Sequence, residues 1–164
     1  MRILVLGVGN ILLTDEAIGV RIVEALEQRY ILPDYVEILD GGTAGMELLG
    51  DMANRDHLII ADAIVSKKNT PGTMMILRDE EVPALFTNKI SPHQLGLADV
   101  LSALRFTGEF PKKLTLVGVI PESLEPHIGL TPTVEAMIEP ALEQILAALR
   151  ESGVEAIPRG AIHD

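Results

Sequence analysis

The chain has 164 residues, a formal net charge of −11, 48% apolar residues and no cysteine. That is the length of one domain with one buried core, and it excludes disorder, disulfides, thiolate zinc sites and a cysteine nucleophile. The acidity argues against a nucleic-acid partner, because phosphate binding needs a basic face, and no apolar run approaches the ~20 residues of a membrane span.

Residues 2–8 (RILVLGV) predict a first strand. Gly7, Gly9 and Asn10 interrupt the apolar run, and Asp15-Glu16 follows where a small-residue cleavage site would stand, so the start does not read as a signal peptide and the protein reads as cytoplasmic. Thr14, Asp15 and Glu16 offer cap and first-turn residues for a helix reaching Arg29, with Ile18, Ile22, Ala25 and Leu26 on its apolar face. A second strand over 35–39 ends at Asp40-Gly41-Gly42-Thr43, and a short helix over 44–52 follows. Residues 57–61, with Leu58, Ile59 and Ile60, predict a third strand buried on both faces.

The polar turn at 66–72 leaves no room for a crossover helix. A fourth strand over 73–77 is therefore expected antiparallel to the third, or at an edge. Residues 79–91 read as irregular. Pro92 suits the first turn of a helix from His93 to Arg105, with Leu95, Leu97, Val100, Leu101 and Leu104 inward. A fifth strand is expected over 114–120, then a proline-rich loop over 121–131, then a helix from Thr131-Pro132 to Glu151 that Pro140 should kink or split. Residues 152–164 read as a loose tail. Strand and helix thus alternate over a single domain, 1–164, which predicts a three-layer αβα fold on a mostly parallel five-stranded sheet.

In such a sheet the strand-to-helix loops gather along one edge, where ligands bind. Glu16, Asp62 and His93 all lie at such junctions, so they can converge as an O,O,N ligand set that divalent ions accept. Each also has a plainer explanation. An acidic first turn stabilises a helix dipole by ~0.3–1 kcal/mol, which accounts for one of Asp15 and Glu16 but not for an adjacent pair. Asp62 ends an apolar strand and needs a partner: a helix N-terminus, a cation or a metal. A histidine at a helix start is expected to keep a low pKa, which suits a neutral ligand; alone it would read as a surface residue. His57, His127 and His163 lack such a setting.

Gly7-Val8-Gly9-Asn10-Ile11-Leu12 partly matches a dinucleotide fingerprint, with Asp40 as the ribose acid, but Leu12 replaces the third glycine. Asp15 and Glu16 would also stand near the pyrophosphate, where like charges about 5 Å apart repel by roughly 3 kcal/mol. There is no HExxH and no nucleophile elbow.

The opening LVLGVGNILLTDEAIGV, the loop DGGTAG, the strand LIIADA and the segment SPHQLGL together resemble the hydrogenase maturation endopeptidases, across nearly the whole chain. Many members carry two aspartates where this chain has Asp15-Glu16, and Glu16 keeps the carboxylate. The resemblance implies an endopeptidase that removes the C-terminal peptide from the precursor of a nickel-iron hydrogenase large subunit. It implies that Glu16, Asp62 and His93 are metal ligands and catalytic residues. Nickel is then shared with or supplied by the precursor, and Asp40, Gly41, Gly42 and Thr43 belong to the recognition region. Two chemistries stay open: metal-assisted hydrolysis, or acid–base work by Glu16 and Asp62 sharing a proton. A nickel chaperone without peptidase activity and a nucleotide-binding enzyme are the rival readings.

Overall fold

The computed structural model describes residues 1–88 and 92–162. In chain order the elements are β1 (Ile3–Val8), a 3-10 turn (Thr14–Ala17), α1 (Ile18–Arg29), β2 (Tyr30–Ile31) and β3 (Val36–Gly42). A 3-10 turn (Met46–Leu48), α2 (Leu49–Met52), β4 (His57–Ala63), β5 (Met74–Arg78) and α3 (Glu81–Thr87) follow. The chain continues through α4 (Pro92–Phe106), β6 (Lys113–Val119), α5 (Pro132–Glu135), α6 (Ile138–Glu151), β7 (Ile157–Pro158) and a 3-10 turn (Arg159–Ile162).

Five strands form one sheet in the order β3-β1-β4-β6-β5. The first four run parallel, and β5 pairs antiparallel with β6. Alternation along the strands builds two cores. Ile3, Val5, Ile59 and Ala61 face α1 and α6; Leu4, Leu6, Leu58 and Ile60 face α3 and α4. All residues of β4 are buried, as a central strand covered on both faces requires.

Several elements differ from the sequence reading for identifiable reasons. The α-helix begins at Ile18, because Thr14 has φ 50° and the chain turns as 3-10 through Asp15 and Glu16. β3 runs on to Gly42, so the aspartate–glycine segment is the end of a strand. β5 is an edge strand, and its antiparallel neighbour is β6, not β4. Within 79–91, residues 81–87 are helical, with Val82 and Phe86 buried; Ser91 lies outside the described residues. Leu95 is exposed, whereas Leu97, Val100, Leu101 and Leu104 are buried.

The last predicted helix is two. The break falls at Ala136–Met137, and Pro140 sits in the first turn of α6, where its missing N–H costs no helical bond. The tail is not loose as far as it is described: Val154 is buried and β7 pairs with β2. His163 lies outside the described residues.

Candidate functional site

The carboxyl ends of β1 and β4 and the start of α4 meet around one imidazole. His93, the second residue of α4, is buried. Its Nε2 lies 3.2 Å from both oxygens of Asp62, and its Nδ1 lies 3.3 Å from Glu16 Oε1. Asp62 is fully buried near the end of β4. Its Oδ1 accepts the Ala63 N–H at 2.8 Å, and its Oδ2 accepts from Gln94 Nε2 at 2.9 Å. Gln94 also donates to the Ala63 carbonyl at 3.0 Å, which fixes its amide against the strand end. Glu16 Oε1 accepts the Asn10 N–H at 3.2 Å. With its side chain 15% exposed, Glu16 is the member of the three that reaches solvent.

Electrostatics reverse one expectation. Burial alone would lower the His93 pKa, as would the adjacent helix start. Hydrogen bonds to Asp62 and Glu16, with their charges, outweigh it and raise the ring to about 9. Burial raises the Asp62 carboxyl, opposed by His93, Gln94 and the Ala63 N–H. A ring with a pKa of about 9 keeps both its protons at neutral pH, so His93 faces Asp62 and Glu16 as an imidazolium, not as the neutral ligand expected from its helix position.

The loop before Glu16 depends on glycine. Gly9 has φ 137°, and a Cβ there would lie 1.9 Å from the Glu16 carbonyl oxygen. The Gly9 N–H donates to the Gly42 carbonyl at 2.7 Å, which ties this loop to the end of β3. Asp40 is exposed, and its Oδ1 accepts the Gly42 N–H at 2.9 Å; Gly42 has φ 52°. A groove of about 300 Å³ runs between residues 9–12 and Asp40, Gly42 and Thr43. Gly41 faces the other way, toward Leu6, Leu48 and Val8.

The adjacent acids divide their work. Asp15 is fully buried, and its carboxylate accepts the N–H groups of Glu122 (2.8 Å), Ser123 (3.0 Å) and Thr131 (2.8 Å) and the Thr131 hydroxyl. Thr14 donates its hydroxyl to the Glu125 carbonyl and its N–H to that of His127 at 2.9 Å. Asp15 thus pins the loop after β6 beside the site, and Glu16 turns to His93. His127 meets this region through its backbone, in a bridge to Leu13. His57 is structural: Nδ1 lies 2.7 Å from Ser152 Oγ and Nε2 lies 2.8 Å from Thr115 Oγ1.

The three predicted side chains meet, but around the imidazole rather than around a common point. No group of three or more acidic or histidine side chains among the described residues is arranged to hold an ion as placed. Each N···O separation of 3.2–3.3 Å still matches two neighbouring ligands on one ion at ~2.1 Å. The donor set therefore fits a divalent ion at either ring nitrogen in exchange for its proton. Adding the third donor requires Glu16 to move or the ring to turn. Asp15 and Gln94 were missed by sequence reasoning. Gln94 had one signal, its place beside His93 at a helix start; Asp15 had none, since its partners lie over a hundred residues away.

The family described as hydrogenase maturation protease matches residues 20–148 of this chain. The chain belongs to that family. The protease is 98% identical over its whole length, and over the whole of the relative, to the hydrogenase 2 maturation protease of Escherichia coli K12. It is 48% identical over 160 residues to the hydrogenase expression/formation protein HupM of Azotobacter chroococcum, covering 96% of this chain and 76% of that one. Among solved structures, the hydrogenase maturating endopeptidase HybD from E. coli superposes with a TM-score of 0.97 at 98% identity, covering 98% of this chain and 99% of that one. The hydrogenase 2 maturation peptidase of a Thaumarchaeota archaeon gives 0.68 at 34% identity, covering 91% and 98%. The protease is thus a maturation endopeptidase, a hydrolase of peptide bonds, and the chaperone and nucleotide-enzyme readings fall away.

Proposed function

We propose that this protease removes the C-terminal peptide from the precursor of a nickel-iron hydrogenase large subunit, and that Glu16, Asp62 and His93 recognise nickel already held by that precursor. The observation that supports this reading is one imidazole held between two carboxylates, with Glu16 alone open to solvent. To bind an ion, His93 would release one ring proton to solvent through the opening at Glu16, and Glu16 and Asp62 would compensate the ion's charge. An ion held jointly by both proteins contributes binding energy only when the precursor has been loaded, so loading acts as a checkpoint. Nickel enters as part of the substrate. Asp40, Gly42 and Thr43 border the groove beside the site, and they are the proposed recognition segment.

Of the two chemistries, metal-assisted hydrolysis has the better support. A carboxylate pair working like an aspartic protease shares one proton directly. Here the His93 ring stands between Glu16 and Asp62, so each carboxylate bonds to the ring instead. When bound, the ion would polarise the scissile carbonyl or a water. The test is mass analysis of nickel-loaded and nickel-free precursor before and after incubation with the protease. Shortening of the loaded form alone is the expected result; equal cleavage of both forms would refute the checkpoint.

A further inference from the structure

The sheet has a free edge that ends at the candidate site. β3 pairs with β1 alone, so its outer side is the border of the sheet. The Ile3 N–H donates to the Tyr35 carbonyl at 3.0 Å, which sets the phase of the strand. In a strand, successive residues turn their N–H and C=O to opposite sides. Glu37 and Leu39 therefore face β1, and Ile38 and Asp40 face outward. No backbone hydrogen bond reaches Ile38 or Asp40 from that side among the described residues. At the start of β3 the Val36 N–H is taken by the Pro33 carbonyl at 3.0 Å, so residues 38–40, about 10 Å, are the unpaired stretch of this edge.

Such an edge is a template for another extended chain. Strand addition takes its affinity from main-chain hydrogen bonds and its specificity from pockets that receive alternate side chains. β3 has both. A cleft of about 210 Å³ opens beside Val36 and Ile38, bordered by Tyr30 and Arg159. The 300 Å³ groove beside Asp40 and Thr43 opens at the other end. The carboxyl end of the edge is wired to the site: Gly42 bonds to Gly9, and the neighbouring Asn10 bonds to Glu16. β5, the opposite border of the sheet, has no such link among the described residues.

We propose that the outer edge of β3 receives the precursor's C-terminal segment as an added strand, and that the groove beside Asp40 leads this segment to Glu16, Asp62 and His93. The inference rests on the proposed function, since it takes the occupant to be the peptide that is cut. A protease acting on a chain terminus needs its substrate extended, and an added strand holds an extended backbone in fixed register. The edge then sets which peptide bond reaches the site, and the ion reports that the precursor is loaded.

The test is amide hydrogen exchange on the whole protease, alone and with nickel-loaded full-length precursor, paired with the cleavage assay. The Ile38 and Asp40 amides should exchange at least about tenfold more slowly in the complex, while the outer edge of β5 stays unchanged. Ile38→Pro removes one outward donor and leaves the β1 ladder intact, as edge prolines do. It should weaken precursor binding while the fold, followed by thermal unfolding, persists. Cleavage with no slowing at Ile38 and Asp40 would overturn the docking and leave the proposed function standing. Slowing that appears without precursor and grows with protease concentration would assign the edge to a second copy of this chain, also overturning it. Absence of any cleavage would refute the proposed function, and the docking with it.

Discussion

His57 and His93 are both buried and lie at opposite ends of the same sheet, yet they protonate in opposite senses. His57 meets the hydroxyls of Thr115 and Ser152, and burial pushes its pKa down to about 4. His93 meets two carboxylates, and its pKa rises to about 9 although burial opposes this. Burial therefore does not decide the charge of a histidine; its partners do. At the amino end of β4 the neutral ring joins the core to the chain after α6, which is a structural task. At the carboxyl end a charged cluster is assembled near solvent, and structures carry such clusters mainly where chemistry is done.

The comparison breaks most sharply by removing His93 or its buried partner. His93→Ala or Asp62→Asn should reduce processing of loaded precursor by roughly 10³-fold, with combined effects less than additive because the groups act as one unit. His57→Gln should leave processing within about twofold, since it does not touch the site. Single-turnover cleavage, with circular dichroism to confirm folding, checks both.

The two rings should also give stability opposite pH limbs. His57 has a folded pKa below its ordinary 6.5, so its contribution is fully present above about pH 6.5 and lost as pH falls through about 4. His93 has a folded pKa above 6.5, so its contribution is present below about pH 6.5 and lost as pH rises through about 9. Each limb amounts to at most about 3 kcal/mol. Urea unfolding across this range should show the acid limb flattened in His57→Gln and the alkaline limb flattened in His93→Ala. Smaller than the loss from His93→Ala or Asp62→Asn is that from Gln94→Ala, which leaves Asp62 and His93 in place but frees the Asp62 carboxyl to reorient. A loss of about tenfold in processing is expected, the scale of an orienting partner; unchanged activity would make Gln94 a packing residue.

The candidate site was legible in the sequence where local rules set it. The compact apolar runs at 2–8 and 57–61 mark buried strands, and their ends place Glu16 and Asp62 on one edge; Pro92 marks the helix that carries His93. What was not legible depends on partners distant in sequence. The low pKa expected for His93 followed from its helix start, and that local rule loses to carboxylates from the loop after β1 and from β4. Asp15 reads as a helix-start residue, but its bonds reach the 122–131 loop. β7 is two residues long and has no periodicity to detect; only its pairing with Tyr30 and Ile31 makes it a strand. Asp40 reads in the sequence as the charged residue ahead of a glycine pair at a strand end, and locally it accepts the Gly42 N–H. Its place beside a groove needs the fold.

The most direct measurement follows the ring nitrogens of both histidines by NMR on isotope-labelled protease between about pH 4 and about pH 9. His93 should carry protons on both nitrogens at neutral pH and lose one only near pH 9, while His57 stays neutral down to about pH 4. A His93 ring that is already neutral at pH 7, or that titrates together with His57, would contradict the imidazolium held between Glu16 and Asp62.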